Sequence, residues 1–161
     1  GIEGKGLFAL KDLGVGEFVL ELYGAVVPRA EGLREEAKGY VFSLDQELSL
    51  DPIHPSLEAN PSRIGWAINH SCEPNLVALK STYNQLGFSE QELEEVRLPR
   101  KGPGGGIVTE ATDLFIFFLT TRPVRAGEEV TFDYRRGAAT EEGSRLRRKC
   151  RCGASTCRGF F

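Results

Sequence analysis

The sequence predicts a mainly β fold made of many short strands, and three observations carry that expectation. Glycine is abundant, at 19 of 161 residues, which favours turns and short strands over a helical bundle. The apolar runs are brief: the longest, Leu114 to Leu119, is six residues. Gly, Pro, Asn and Asp punctuate them at short intervals. A chain of this length fits one domain with a sizeable core. No run nears the roughly 20 apolar residues of a membrane helix, so no membrane partner is expected. No secretory leader is visible. The chain contains no Met, so it reads as a piece cut from a longer protein.

Taken in order, Gly1 to Ala9 opens with glycines and runs into an apolar strand at Leu7. Gly4 and Gly6 permit close backbone approach or positive φ. No Gly-Lys-Ser/Thr follows, so a phosphate-binding loop is not indicated. Lys11–Glu17 is a turn, Phe18–Tyr23 a strand closed by Gly24, and Ala25–Val27 a further short strand broken by Pro28. Glu31–Lys38 has the composition of a short polar helix. Tyr40–Leu44 and Leu48–Leu50 form a hairpin around Asp45-Gln46-Glu47. Asp51–Ser62 holds three prolines and reads as loop, with His54 a surface residue on it. Leu76–Lys80 is a strand. Ser89-Glu90-Gln91-Glu92 is a capping box that starts a short helix to Val96. Residues 84–112, with three consecutive glycines at 104–106, read as a surface insertion. Asp113–Thr121 is a buried strand apolar on both faces, and Glu128–Tyr134 is the last strand before a small polar linker at 137–144.

Charge is unevenly spread. Residues 135–158 carry eight Lys/Arg against two Glu, or +6, and the remainder carries −9. An acidic body suits a basic peptide as partner through complementary potential. The basic C-terminal segment is a solvated face or a contact for chromatin or nucleic acid.

The stretch Asn69-His70-Ser71-Cys72-Glu73-Pro74-Asn75 sets polar side chains between the apolar runs Trp66–Ile68 and Leu76–Leu79. Such groups are costly to bury unless something uses them. A plain Asn/Ser/Pro turn is the simpler alternative. The four cysteines are Cys72 and the terminal C-x-C-x₄-C of Cys150, Cys152 and Cys157. Neighbouring C-x-C thiols rarely pair with each other. Four thiolates suit one closed tetrahedral zinc site that is structural rather than catalytic. Disulfides or free thiols are the alternative, and the lack of a secretory signal disfavours disulfides.

Gly4–Ala9, Tyr40-Val41-Phe42, the N-H-S-C-x-P-N block at 69–75, Gly127–Tyr134 and the C-x-C-x₄-C-R-G tail occur in that order. This pattern resembles SET-domain protein lysine methyltransferases with a post-SET zinc segment, over nearly the whole chain. The resemblance implies small antiparallel sheets around a pseudoknot, a SET domain over 1–136 and a post-SET segment over 137–161. It implies S-adenosyl-L-methionine as methyl donor, held by the backbone of Lys5, Gly6 and Leu7, by Asn69, His70 and Tyr134, and by Arg158 and Phe160 near the adenine. Tyr134 is the implied catalytic tyrosine, Tyr40 lines the lysine channel, and Phe132 sets how many methyl groups fit, here two or three. Cys72, Cys150, Cys152 and Cys157 are the implied Zn²⁺ ligands. The implied substrate is a histone-tail lysine and the implied location the nucleus. A non-histone substrate, or an inactive peptide-binding scaffold, are the alternatives. The chain departs from the pattern at Arg63, which lies six residues before Asn69 rather than three, at the short Pro28–Gly39 segment, and at the 84–112 insertion.

Overall fold

The computed structural model describes residues 5–29, 41–55, 64–82, 85, 114–135 and 149–160. The expected helices at 31–38 and 89–96, the linker at 137–144 and the 84–112 insertion apart from Gln85 lie outside the described residues, as does Arg63. The described chain is mainly β, as expected. Its strands are β1 (Leu7–Phe8), β2 (Phe18–Glu21), β3 (Ala25–Pro28), β4 (Phe42–Ser43), β5 (Leu48–Asp51), β6 (Asn69–His70), β7 (Leu76–Thr82), β8 (Leu114–Thr120) and β9 (Glu129–Phe132). A 3₁₀ turn, Gly65–Ala67, precedes β6. No described helix is long and apolar enough to cross a membrane.

The chain divides into two compact units. The first comprises Gly1–Glu21, Ala67–Leu79 and Phe117–Phe161, and the second Leu22–Trp66 and Lys80–Ile116. The second contains the sheet β3-β5-β4, antiparallel throughout. The hairpin between β4 and β5 turns where the sequence places it. The Asp45 carboxylate accepts the N–H groups of Glu47 and Leu48 at 2.8 and 2.7 Å, an Asx turn that fixes the reversal. Apolar residues of these strands, Ala25, Val27, Phe42 and Leu50, are buried. His54 is a correction to the sequence reading: it is only 8% exposed, just beyond β5, where the Asp51 carbonyl accepts its N–H at 3.5 Å. Prolines around it signalled loop, but a loop that folds inward buries its side chains.

The larger sheet has the order β1-β9-β7-β8-β2, with β6 also on β9. β1 pairs antiparallel with β9, Leu7 opposite Val130. β6 and β7 pair with β9 in parallel, Asn69 opposite Thr131 and Leu76 opposite Phe132. Alternating burial on β8 is broken because both its faces carry large apolar groups: Phe115, Ile116 and Phe118 are buried, and Phe117 stacks on Phe18 at 6.4 Å. The turn into β9 needs Gly127, whose φ of 82° is the left-handed region that side chains disfavour.

Asn75 is the buried joint of this sheet, at 1% exposed. Its amide nitrogen donates to the Glu129 carbonyl at 2.8 Å and its amide oxygen accepts the Thr131 N–H at 2.8 Å. The side chain thus stands in for a strand, satisfying β9 where no backbone reaches it. Asn75→Ala would strand a buried donor and a buried acceptor. We expect a loss of about 2–4 kcal/mol in stability, read from the urea midpoint. A midpoint unchanged within error would refute this joint.

Candidate active site

All described candidate residues fall in the first unit, and β9 is what gathers them. β1 brings Lys5-Gly6-Leu7 to one side of it and β6 brings Asn69-His70 to the other. The Asn69 amide nitrogen donates to the Lys5 carbonyl at 3.0 Å and to a Glu129 carboxylate oxygen at 2.6 Å. A Cβ at Gly6 would run into the Glu129 carboxylate and sit 3.2 Å from the Asn69 amide nitrogen. A side chain at Gly6 would therefore make the Glu129 carboxylate swing aside and crowd the Asn69 amide. Among the described glycines, positive φ falls elsewhere, at Gly16, Gly127, Gly153 and Gly159.

His70 is buried at the other end of β6. Its Nδ1 accepts the Tyr134 N–H at 3.2 Å, and its Nε2 lies 3.4 Å from Cys72 Sγ. Burial is the main cause that lowers its pKa, with Asp133 opposing and Arg158 assisting. The Tyr134 hydroxyl donates to the Ile68 carbonyl at 2.8 Å, and the Tyr134 ring meets His70 edge-on at 5.3 Å. Phe132, 4% exposed, lies with its ring 4.7 Å from that of Tyr134 and 5.1 Å from that of Phe118. The aromatic residues of β9 and its exit thus form one apolar wall, with the tyrosine oxygen fixed on it.

The four cysteine sulfurs lie within 4.8 Å of one another, the close gathering a tetrahedral metal site requires. No disulfide joins any of the four. Burial pushes the Cys150 thiol up to about 12. At Cys152 burial pushes the same way but is outweighed by the N–H groups of Cys72 and Ala154 and the neighbouring thiols, which bring it to about 6. The tail closes on itself: Cys150 N–H donates to the Gly159 carbonyl at 2.8 Å, and Lys149 bridges to Phe160. Phe160 is half exposed.

Two side-chain clamps tie this tail down, and sequence reasoning missed both. Glu73 accepts the Ser155 hydroxyl at 2.8 Å, the Thr156 N–H at 3.0 Å and the Thr156 hydroxyl at 2.6 Å. These bonds, the Thr156 hydroxyl foremost, lower its pKa. Asp133, 5% exposed, pairs two-pronged with Arg158 at 2.9 and 2.7 Å. Burial, the largest single influence, would raise the Asp133 pKa, but the Arg158 guanidinium, the Arg135 N–H and His70 together outweigh it and hold it below the usual carboxylate range. An acid inside the apolar run Val130–Tyr134 was the available signal for Asp133. Nothing local marked Glu73, which lies between Cys72 and Pro74. Tyr40 lies outside the described residues.

The profile of the SET domain matches residues 4–135. The chain is 30% identical to the histone-lysine N-methyltransferase SUV39H2 of Xenopus tropicalis, over 98% of this chain and 36% of that protein. It is 31% identical to the histone-lysine N-methyltransferase Su(var)3-9 of Drosophila melanogaster, over 96% of this chain and 22% of the relative. To the histone-lysine N-methyltransferase EHMT1 of Mus musculus it is 33% identical, over 96% of this chain and 10% of the relative. The chain therefore spans about a third or less of the length of these relatives.

Proposed function

Because the chain belongs to the SET-domain family, we propose that it is a protein-lysine N-methyltransferase that moves a methyl group from S-adenosyl-L-methionine to a histone-tail lysine in the nucleus. The observation that carries this reading is the convergence on β9 of Lys5–Leu7, Asn69–His70 and the Phe132–Tyr134 exit. The −9 charge of the chain outside residues 135–158 suits a basic peptide. The basic segment at 135–158 would add a chromatin contact. In this reading residues 1–136 are the SET region and 137–161 the post-SET segment.

The residues present fit both a structural zinc and the methyl donor. Four convergent thiols are the donor set of a structural zinc, so Cys72, Cys150, Cys152 and Cys157 would hold it. The close approach at Gly6, braced by Asn69 on the Lys5 carbonyl, leaves backbone groups of Lys5–Leu7 to hold the methyl donor, with Asn69, His70, Tyr134 and Phe160 as further contacts. When bound, its sulfonium supplies an activated methyl group. The chain's task is then to present a neutral amine in line. A lysine in water has a pKa near 10.4, and an apolar wall such as Phe132 and Tyr134 favours the neutral form. Tyr134 places a fixed hydroxyl oxygen beside the reacting nitrogen, and such positioning can supply several kcal/mol. Tyr40 would line the lysine's path.

The test is a calorimetric titration with S-adenosyl-L-methionine followed by methyl transfer to a histone panel. Binding and transfer to histone peptides support the reading. Failure to bind the donor leaves a peptide-binding scaffold, and transfer only to other proteins moves the substrate off histones. Phe132 carries no hydroxyl to hold a water against the amine, so di- or trimethyl-lysine is the expected product. Phe132→Tyr should shift the product toward monomethyl-lysine by mass spectrometry. A parent enzyme that stops at monomethyl-lysine would refute the assignment.

A further inference from the structure

We propose that the Asp133–Arg158 ion pair is a latch through which docking of the C-terminal tail positions Tyr134, so that Arg158 is a positioning residue and not a cofactor contact. The inference rests on the function proposed above only for the assignment of Tyr134 as the catalytic residue. Asp133 follows directly on β9 and is 5% exposed. Both its oxygens are engaged from the tail, Oδ2 by Arg158 Nη1 at 2.9 Å and Oδ1 by Arg158 Nη2 at 2.7 Å. Oδ1 also accepts the Arg135 N–H at 3.1 Å and lies 3.7 Å from His70 Nδ1. That same Nδ1 accepts the Tyr134 N–H. Tyr134 is thus the middle residue of a turn whose first side chain is held by the tail and whose own N–H is held by His70.

A buried carboxylate deprived of its cation is costly. The readiest relief is for the turn at Asp133–Arg135 to move toward water, which draws the Tyr134 N–H off His70 and its hydroxyl off Ile68. The latch also closes only in register with the cysteine cluster. The Arg158 N–H donates to Cys72 Sγ at 3.4 Å, so the guanidinium reaches Asp133 when the tail is seated on Cys72. The two-pronged edge of the guanidinium, the one suited to planar recognition, is already occupied by the carboxylate.

The test is a double-mutant cycle on the full chain with Arg158→Ala, Asp133→Asn and both together. Zinc content, donor Kd by calorimetry and steady-state rates are measured, with chelator-driven zinc release in the absence of donor. The expected result is one zinc per chain, a donor Kd within threefold, and kcat down tenfold or more in each single variant, with the double no worse than either. Zinc release should quicken in each single variant and no further in the double. A tenfold weaker Kd for Arg158→Ala but not for Asp133→Asn, or rate losses that multiply in the double, would overturn the latch. Should Asp133→Asn not fold, Arg158→Lys decides. An intermediate kcat at unchanged Kd supports the latch, and a Kd that weakens in step with kcat overturns it. If the parent chain neither binds donor nor transfers methyl, the proposed function falls. The zinc-release arm then still judges the latch, with additive acceleration counting against it.

Discussion

Replacing Tyr134 by Phe is expected to lower methyl transfer about a hundredfold or more, while the fold, the zinc and donor binding survive. The substitution removes one oxygen and keeps the ring. The ring contacts with His70 and Phe132, at 5.3 and 4.7 Å, do not depend on that oxygen. The lost hydrogen bond to the Ile68 carbonyl is one interaction, worth about 1 kcal/mol of stability. The rate loss is far larger than that because a preorganised oxygen aimed at the reacting centre acts where solvent cannot substitute for it. Single-turnover rates at saturating donor separate the two effects. A variant that turns over at the parental rate would remove Tyr134 from the mechanism, and one that loses zinc would make the residue structural.

Removing the proposed zinc, by chelation or by Cys150→Ser, is expected to abolish activity and release the tail while leaving the β core folded. Apparent binding free energies for structural zinc are about 10–16 kcal/mol, far above what the remaining tail contacts provide. Those contacts include two side-chain clamps, at Glu73 and Asp133, N–H···S bonds between Cys72 and the tail at Cys152 and Arg158, and a short self-closure between Lys149 and Phe160. The first unit keeps its own buried residues, Phe118, Ile68, Leu76 and Val130 among them, none of which belongs to the tail. Circular dichroism should therefore retain its β signal while protease cuts after Arg151 and Arg158. Full activity in a chain shown to hold no zinc would refute the dependence.

The strands that could be read from the sequence were those with local causes. Asp45 opens an Asx turn between two apolar runs, and the Leu114–Leu119 run has nowhere to go but the core, so both appeared where expected. The cysteine cluster was legible because four thiols leave few partners to choose from. Other features depend on residues distant in sequence. The stretch at Asn69 is not merely a polar connection between strands: its first two residues are themselves a strand, parallel to β9, and no local pattern specifies a parallel partner. Glu73 and Asp133 are ordinary acids until the tail arrives, and Asn75 looked like the end of a turn although it completes the ladder of β9.

That role of β9 bears on how the protein comes to be folded. Its partners are drawn from Leu7–Phe8, from Asn69–His70 and from Leu76, so almost every pairing in this part of the sheet joins distant parts of the chain. Loop-closure entropy must be met before any of those contacts is gained, which makes such a topology slow to form. During synthesis β1, β6 and β7 leave the ribosome long before the strand that joins them. The Lys5–Leu7 approach and the turn at Tyr134 therefore assemble together and late, and until then β1 and β6 are unpaired edges open to the wrong partners.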